Sequence, residues 1–355
     1  MKNYVLADTT GSLRDIYKIL KELKIGRTIY INTRKVGYSR KRWDVFVDKL
    51  QKAFKMSSAI LGKRIVLADY VAKYFVLLAH EFVFLNHGWG TKMTPPRWKW
   101  NDEGLYNHFK IFLRNRPYII CLSEFDSEYF LKAPGLDNSQ ARFVPLGHPR
   151  NDYLVRNRAN ISIAKKVRRE FSIPDGAKVI LYAPTHREFP ELTKRAYSRI
   201  VGELKNIDEK LSRMGYFILF RPHYYLGGMK AAFEDMKAVK YAGKDVVEDN
   251  RDLMIASDIL MTDYSSIFVD YLLLKKPVVF YPFDIEEYEK LRGLVIDFSN
   301  LIHTPGPKLS NLSEIFEALD DLNRYSRYLE KSLKHFHKHT DDGATERLIE
   351  FLKKL

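Results

Sequence analysis

The stretch DLMIASDILMTDYSSIFVDYLLLKKPVVFYP, from Asp252 to Pro282, decides the fold. Its first apolar run, Ile259 to Met261, has the length of a buried strand and stops at a cluster of helix-starting residues. Apolar residues then recur at helical spacing from Ile267 to Leu272, and a second apolar run, Val278 to Tyr281, follows. The pattern predicts a strand, a helix and a second strand, which is the repeating unit of a parallel sheet.

The start of the predicted helix indicates what this edge of the sheet could bind. A helix start has free backbone N–H groups, and here it also carries the side chains of Thr262, Asp263, Ser265 and Ser266. Open α/β sheets bind phosphate at the carboxyl ends of their strands, where such a helix begins. The alternative is that these residues only cap the helix, since Ser, Thr and Asp are the preferred capping residues.

The composition is that of a folded chain large enough for two domains. Of the 355 residues 46% are hydrophobic, and we expect neither a membrane-spanning segment nor an apolar signal core. The single cysteine, Cys121, excludes an internal disulfide and indicates a reducing cytoplasm. We predict one domain over residues 1–155 and a second over residues 156–324, with a C-terminal helix at about 325–355 that packs back on the first domain.

Positive charge is concentrated near the N-terminus. The net charge is +15, and the segment from Arg14 to Arg64 holds fifteen Lys or Arg against four acids. Such a segment indicates an anionic partner, which could be nucleic acid, an anionic membrane or a polyanionic substrate. The aromatic residues Tyr30, Tyr38, Trp43 and Phe46 lie among these charges and suit lipid contact and base stacking equally well. A merely solvated basic face is the remaining interpretation.

One strand of the first half ends at a histidine. The apolar run Phe82 to Leu85 leads into Asn86-His87-Gly88-Trp89-Gly90, where glycines let the backbone approach a ligand closely. In a parallel sheet this turn lies at the carboxyl ends of the strands. An imidazole there can act as a general base, because its ordinary pKa is near the operating pH. The alternative is that His87 is structural.

Three strand ends of the second half bring further polar groups to one edge. They carry Thr185-His186-Arg187, then Arg221 and His223, and finally the cluster that begins at Thr262. Cations, imidazoles and hydroxyls on one rim suit a diphosphate, because fixed donors stabilise the charge of a transferred phosphoryl group. Neither the dinucleotide pattern G-x-G-x-x-G nor the P-loop pattern occurs, so those two classes are excluded.

The carboxylates of the second half do not predict a metal site. Asp258, Asp263 and Asp270 are better explained as caps, turn residues or a surface carboxylate, so we predict neither a metal nor a cofactor. The acidic group that includes Glu287 could hold the ribose hydroxyls of a nucleotide, as carboxylates commonly do. An ordinary polar helix start is the alternative for Glu287.

Longer blocks of this sequence resemble a known family. The block TDYSSIFVDYLLLKKPVVFYPFDIEEYEKLRG, from Thr262 to Gly293, resembles the signature of the CDP-glycerol glycerophosphotransferases, which build teichoic acids and related phosphopolyol polymers. The blocks ILYAPTHR, ILFRPH and VPLGHPRND are similar to others of that family. The resemblance implies a GT-B-like α/β fold, with two Rossmann-like domains facing a central cleft. It also implies transfer of glycerol phosphate from CDP-glycerol to an acceptor hydroxyl, with CMP leaving.

The resemblance also implies roles for individual residues. His87, with Gly88 beside it, matches the base that takes the proton of the acceptor, and His223 matches a histidine that contacts the donor phosphates. The remaining candidates for substrate binding are Arg187, Arg221, Thr262, Asp263, Ser265, Ser266, Glu287, Arg292 and Gly293. Two departures from the family pattern are the insertion of Trp89 and Gly90 before Thr91-Lys92, and a proline that precedes His223.

The acceptors of such enzymes are saccharides linked to polyprenyl pyrophosphate at the inner face of the membrane. The resemblance therefore implies a peripheral protein at the cytoplasmic face, held by its basic segment on an anionic surface, with CDP-glycerol or CDP-ribitol as donor and no nucleic acid. One alternative is a GT-B glycosyltransferase that uses a nucleotide sugar. Another is a non-enzymatic, basic nucleic-acid-binding protein, although no RNA- or DNA-binding motif is present.

Overall fold

The computed structural model describes residues 2–8, 13–32, 62–70, 76–77, 79–86, 91–130, 136–223 and 229–355. The chain divides into two compact units. Unit 1 comprises Met1–Trp89, Lys99–Asp152 and Asp341–Leu355, and unit 2 comprises Gly90–Trp98 and Tyr153–Thr340. Of the aromatic residues in the basic segment, Tyr30 lies in a strand with its ring 5.2 Å from that of Tyr17. Tyr38, Trp43 and Phe46 lie outside the described residues.

Unit 1 contains a parallel sheet of six strands in the order β2-β1-β3-β4-β5-β6. The strands are β1 Lys2–Asp8, β2 Arg27–Asn32, β3 Lys63–Ala68, β4 Glu81–Phe84, β5 Tyr118–Ile120 and β6 Arg142–Val144. The helices that begin in this unit are α1 Arg14–Glu22, α2 Glu103–Arg114, α3 Glu124–Tyr129, α4 Pro149–Asn157 and, near the C-terminus, α12 Ala344–Lys354. The central strands are apolar on both faces because helices cover parallel sheets from both sides.

The last helix, α12, is fixed to unit 1 at both ends. At its start, the buried carboxylate of Asp152 accepts hydrogen bonds from the backbone N–H groups of Ala344 and Thr345, at 3.0 and 2.8 Å. At its end, Lys2 and Lys63 donate to the carbonyl oxygens of the last turn. A carboxylate at a helix start and ammonium groups at its end both complement the helix dipole.

Unit 2 contains a parallel sheet of five strands in the order β11-β10-β7-β8-β9. The strands are β7 Lys178–Ala183, β8 Tyr216–Phe220, β9 Val239–Tyr241, β10 Ile259–Thr262 and β11 Val278–Phe280. The helices are α5 Ile161–Glu170, α6 Pro190–Arg213, α7 Asn250–Ala256, α8 Ile267–Tyr271, α9 Ile285–Leu291, α10 Ile315–Asp320 and α11 Ser326–Phe336.

The predicted strand–helix–strand unit is confirmed as β10, α8 and β11. The α-helix α8 ends at Tyr271, and a 3₁₀ turn, Leu272–Leu274, continues the helical segment to Lys275. Lys275 then takes the left-handed conformation, with φ 56°, and stops the helix.

The two parallel sheets confirm the predicted α/β class with two Rossmann-like halves. The C-terminal region contains two helices, α11 in unit 2 and α12 in unit 1, and Asp341-Asp342-Gly343 lies between them, where the sequence indicates a break. The division between Asp152 and Tyr153 lies three residues before the predicted domain boundary at residue 155. The central cleft stays a prediction.

Among the helices of the described ranges, none has the length and apolar character needed to cross a bilayer.

Candidate active site

Ten of the twelve predicted site residues lie in unit 2, near the carboxyl ends of its strands. The register pairs Thr262 with Ala183 and Tyr182 with Phe220, so β7, β8 and β10 end at the same edge. We call this edge the rim, formed by residues 184–188, 221–223, 262–266 and 284–293 together with the segment 91–98 that packs on it. His87 and Gly88 lie outside the described residues, and their roles stay predictions.

A buried arginine bridged by two carboxylates organises the rim. Arg187 donates from Nη1 to Asp263 at 2.9 Å, and from Nε and Nη2 to Asp284 at 2.6 and 2.8 Å. Burial lowers the pKa of the Arg187 guanidinium, but the charge of Asp263 and the hydrogen bond to Asp284 outweigh burial and raise it. Asp263 also accepts from the backbone N–H of Thr185 at 2.8 Å, so this carboxylate joins the ends of β10 and β7.

Two tyrosines extend this network. Tyr264 donates its hydroxyl to Asp284 at 2.8 Å, and its ring stacks on Tyr288 with 4.0 Å between ring centroids. The sequence grouped Asp284 with Glu287 as an acidic group that could hold ribose hydroxyls, and the structure engages Asp284 with Arg187 and Tyr264. No spacing signal could have identified the pairing with Arg187, because the two residues are 97 positions apart and meet only in the folded sheet.

The hydroxyls that the sequence grouped together have different surroundings. Thr262 is fully buried and donates its hydroxyl to the carbonyl of Ala183 at 2.7 Å, which ties β10 to β7. Ser265 accepts from the backbone N–H of Ile267, the first residue of α8, at 3.4 Å. Ser266 makes no capping hydrogen bond and is partly exposed. Its hydroxyl is therefore available at the rim.

Two imidazoles lie together at the ends of β7 and β8. The ring centroids of His186 and His223 are 4.2 Å apart, and the backbone N–H of His223 donates to the hydroxyl of Tyr197 at 3.2 Å. Burial, followed by the positive charge of Lys92, lowers the pKa of His186 from 6.5 to about 4. His186 is therefore neutral near pH 7.

Arg221 stabilises the loop that follows β9. Its Nη1 donates to the carbonyl of Ala242 at 2.9 Å and to that of Val247 at 2.5 Å, and its Nη2 donates to Glu248 at 3.3 Å. Burial lowers the pKa of Arg221. The guanidinium is thus occupied by backbone carbonyls beside the rim.

Arg292 and Gly293 hold the segment 91–98 against the rim. Arg292 pairs with Glu188 at 2.9 Å and donates to the carbonyl of Met93, whose N–H donates in turn to Gly293 at 3.0 Å. Gly293 has φ 77°, and a Cβ there would lie 2.7 Å from the sulfur of Met93. A glycine is therefore required at this contact.

The remaining candidate, Glu287, lies on α9. It forms an ion pair with Arg195, and the two side chains are 41% and 66% exposed. The binding of ribose hydroxyls by Glu287 stays a prediction. Within the ranges that the structure describes, no group of three or more His, Cys, Asp or Glu side chains could hold a metal ion.

The sequence of this chain matches a known protein family. The family model of the CDP-glycerol:poly(glycerophosphate) glycerophosphotransferases matches residues 12–354. The chain is 34% identical over 212 residues to a teichoic acid poly(glycerol phosphate) polymerase of Bacillus spizizenii, which is 59% of this chain and 52% of that protein. It is 29% identical to a teichoic acid glycerol-phosphate transferase of Staphylococcus aureus, over 72% of this chain and 64% of that protein. The chain thus spans about half to two thirds of the length of these two relatives.

Solved structures with a similar fold include the wall teichoic acid polymerase TagF in a variant soaked with CDPG. That similarity has a TM-score of 0.71 at 23% identity and covers 99% of this chain and 88% of that chain. A UDP-GlcNAc 2-epimerase from Neisseria meningitidis, bound to UDP-GlcNAc, aligns over the whole of both chains with a TM-score of 0.62 at 14% identity. Both similarities concern the fold and confirm the GT-B-like class. The match over residues 12–354 shows that the chain belongs to the CDP-glycerol:poly(glycerophosphate) glycerophosphotransferase family.

Proposed function

We propose that this chain transfers glycerol phosphate, or a related polyol phosphate, from a CDP-polyol to an acceptor hydroxyl and releases CMP. The family match over residues 12–354 carries the proposal. The chemistry of the rim supports it, because imidazoles and a hydroxyl lie where a parallel sheet binds phosphate. TagF soaked with CDPG and relatives named as ribitol-phosphate polymerases support a CDP-polyol donor.

The proposed reaction is an in-line displacement at phosphorus. The acceptor oxygen attacks the phosphorus that carries glycerol, and the bond from that phosphorus to the oxygen of the CMP phosphate breaks. The electron pair leaves with CMP, and the proton of the acceptor hydroxyl passes to a base. We assign the base to His87, as the family resemblance implies, because an imidazole has a suitable pKa for this step.

The rim would hold the diphosphate during this step. We assign direct contact with phosphate oxygens to His223 and Ser266, which are partly exposed, with Ser265 beside them. Fixed donors of this kind stabilise the negative charge on the phosphoryl group and on the leaving phosphate.

Other predicted residues act through these contacts. Arg187 and Asp263 are engaged with each other and with the neighbouring loops, Thr262 is engaged inside the sheet, and Arg221 is engaged with backbone carbonyls. We therefore assign them to positioning. Arg292 and Gly293 position the segment 91–98.

We propose a lipid-linked acceptor at the cytoplasmic face of the membrane. Support comes from relatives that are named for teichoic acid synthesis and from the fifteen basic residues between Arg14 and Arg64. Each basic residue near an anionic surface contributes about 1 kcal/mol of attraction. Vesicle binding that depends on anionic lipid and weakens with salt would support this location.

Release of CMP tests the reaction. The full chain is supplied with a polyprenyl-pyrophosphate-linked saccharide and with CDP-glycerol, CDP-ribitol or a UDP-sugar in separate reactions. We expect nucleotide release from a CDP-polyol only, and a UDP-sugar as the preferred donor would contradict the proposal. Ser266→Ala should raise the donor KM about fivefold or more, because it removes a hydrogen bond to a charged group. Ser198→Ala, on the exposed face of α6, is the matched control and should not change it.

A further inference from the structure

Lys92 is held at the rim by the backbone of the segment 91–98. It forms an antiparallel bridge with Leu294. On either side of this bridge, Met93 donates its N–H to Gly293 and Val295 donates its N–H to Thr91, both at 3.0 Å. The Lys92 backbone is therefore held against the residues that directly follow α9.

The Lys92 side chain is surrounded by charged groups of the rim. The positive groups that act on it are Arg292 and Arg187, and the negative groups are Asp263 and Glu188. His186, which is neutral near pH 7, also lies within its electrostatic reach. These groups belong to the loops after β7 and β10 and to the end of α9, so the Lys92 side chain lies within electrostatic reach of the proposed donor site.

The carboxylates around Lys92 are already occupied. Asp263 accepts from Arg187 and from the backbone N–H groups of Thr185 and Tyr264. Glu188 pairs with Arg292 and also accepts from the indole N–H of Trp98 at 3.0 Å. Within the described part of the chain, the ammonium of Lys92 donates no hydrogen bond and forms no ion pair.

Three arginines of the rim contrast with Lys92. The guanidinium groups of Arg187, Arg221 and Arg292 donate to carboxylates or backbone carbonyls of the protein itself. Lys92 is partly buried, and withdrawing an ammonium from water without an acceptor is costly. Burial, followed by the charge of Arg292, lowers the pKa of Lys92 from 10.5 to about 8. The ammonium is therefore available to an anion at the rim, because none of the described residues accepts a hydrogen bond from it.

We propose that Lys92 is a substrate-binding residue of the transferase, and that its ammonium contacts the diphosphate of the CDP-polyol donor. The proposal rests on the proposed function. A fixed positive charge at this place stabilises the negative charge on the leaving CMP phosphate without any transfer of a proton.

The proposal makes donor binding dependent on pH. The protonated ammonium binds the anion, so its contribution is present below the pKa of about 8 and is lost as the pH rises through that value. Lys92→Arg keeps its charge at every accessible pH. Lys92→Met has nearly the same length and no charge, so it lacks the contribution at every pH.

The test measures the Kd of CDP-glycerol and of CDP by calorimetry at pH 7 and pH 9.5, with the full chain. At pH 7 we expect Lys92→Met to bind at least tenfold more weakly than the wild type, and most of this difference to vanish at pH 9.5. Lys92→Arg should show no loss of affinity between the two pH values. The matched control is Lys205→Met, on the exposed face of α6, which should bind like the wild type.

Thermal unfolding without ligand separates binding from a structural role. Lys92→Met should unfold at the same or a higher temperature than the wild type at pH 7, because it removes a poorly solvated charge. The folded pKa of about 8 lies below the unfolded value of 10.5, so the charge costs stability fully below pH 8 and not above pH 10.5. A clear drop in the unfolding temperature at pH 7 would mean that Lys92 supports the fold and would overturn the proposal.

CMP release and ligand binding, measured together, show whether the Lys92 contact or the proposed function is wrong. If the chain releases no CMP but binds CDP with the Lys92-dependent pH profile, the function is wrong and the anion contact stands. If Lys92→Met binds both ligands within twofold of the wild type at pH 7, the Lys92 contact is wrong whatever the activity. If the wild type binds neither ligand, both proposals are overturned.

Discussion

Removal of Arg187 tests the buried ion-pair network that organises the rim of unit 2. Its side chain is 3% exposed and its partners Asp263 and Asp284 are 1% and 15% exposed. Arg187→Met keeps much of the aliphatic volume and removes the guanidinium. Two carboxylates then remain in a poorly solvated environment without the cation that bridged them.

The expected cost follows from the burial of this network. Breaking a buried ion pair by removing one partner destabilises a protein by about 3–5 kcal/mol, because it leaves an uncompensated charge. The guanidinium also lies 5.2 Å from the ring centre of Tyr264 and 5.4 Å from that of Tyr288, which adds a smaller cation–π contribution. The ion pair of Arg195 with Glu287 is exposed, and such pairs contribute about 0–1 kcal/mol.

Urea unfolding of the full chain provides the measurement, with Arg195→Met as the matched control. Since the chain has two units, hydrogen exchange of β7 peptides, Lys178–Ala183, reports the transition of unit 2. With a urea dependence of about 2 kcal/mol per M, Arg187→Met should lower the midpoint by about 1.5–2.5 M. A shift no larger than that of Arg195→Met would refute the reasoning. Partial recovery in the double variant Arg187→Met, Asp284→Asn would identify the unpaired carboxylate as the cause.

Two further substitutions test individual contacts. Gly293→Ala should destabilise unit 2 by about 1–3 kcal/mol and raise the donor KM, because φ is 77° and the new Cβ meets the Met93 sulfur at 2.7 Å. Gly202→Ala is its control, since nothing lies within 4 Å on α6, and should stabilise by about 0.5–1 kcal/mol in thermal unfolding. Thr262→Val should cost about 1–3 kcal/mol by leaving the Ala183 carbonyl unsatisfied, yet leave the Kd of the donor unchanged. A tenfold rise in that Kd would mean that Thr262 contacts phosphate after all.

The architecture of unit 2 could be predicted from Asp252 to Pro282 because parallel strands are buried on both faces. The residues of β10 and β11 are all buried, so their apolar runs are continuous and easy to identify. The change from α-helix to a 3₁₀ turn at Leu272 was less predictable, because Leu272 to Leu274 continue the apolar spacing. The end at Lys275 was predictable, since Lys275, Lys276 and Pro277 follow the last apolar residue in the sequence.

The position of the rim was also predictable, but the roles of its residues were not. Parallel register brings the ends of β7, β8 and β10 together, so His186, His223 and Ser266 had to meet near one edge. Whether a hydroxyl at a strand end points into the sheet or out of it depends on a single residue of register. Thr262 donates inward to a neighbouring strand, whereas Ser266 remains partly exposed.

The cations show most clearly why residue type alone cannot assign a binding role. A guanidinium has five donors in a planar fork, so it can bridge two carboxylates, as Arg187 does, or three carbonyls, as Arg221 does. The planar fork of donors that makes arginine a good phosphate ligand also lets it join two loops of the protein by hydrogen bonds. An ammonium has a compact charge and is less suited to bridging fixed planar groups. Where arginines brace the loops of a rim, a lysine that is fixed by its backbone and free of internal acceptors is the better candidate for contact with the substrate, and Lys92 meets both conditions in the described part of unit 2.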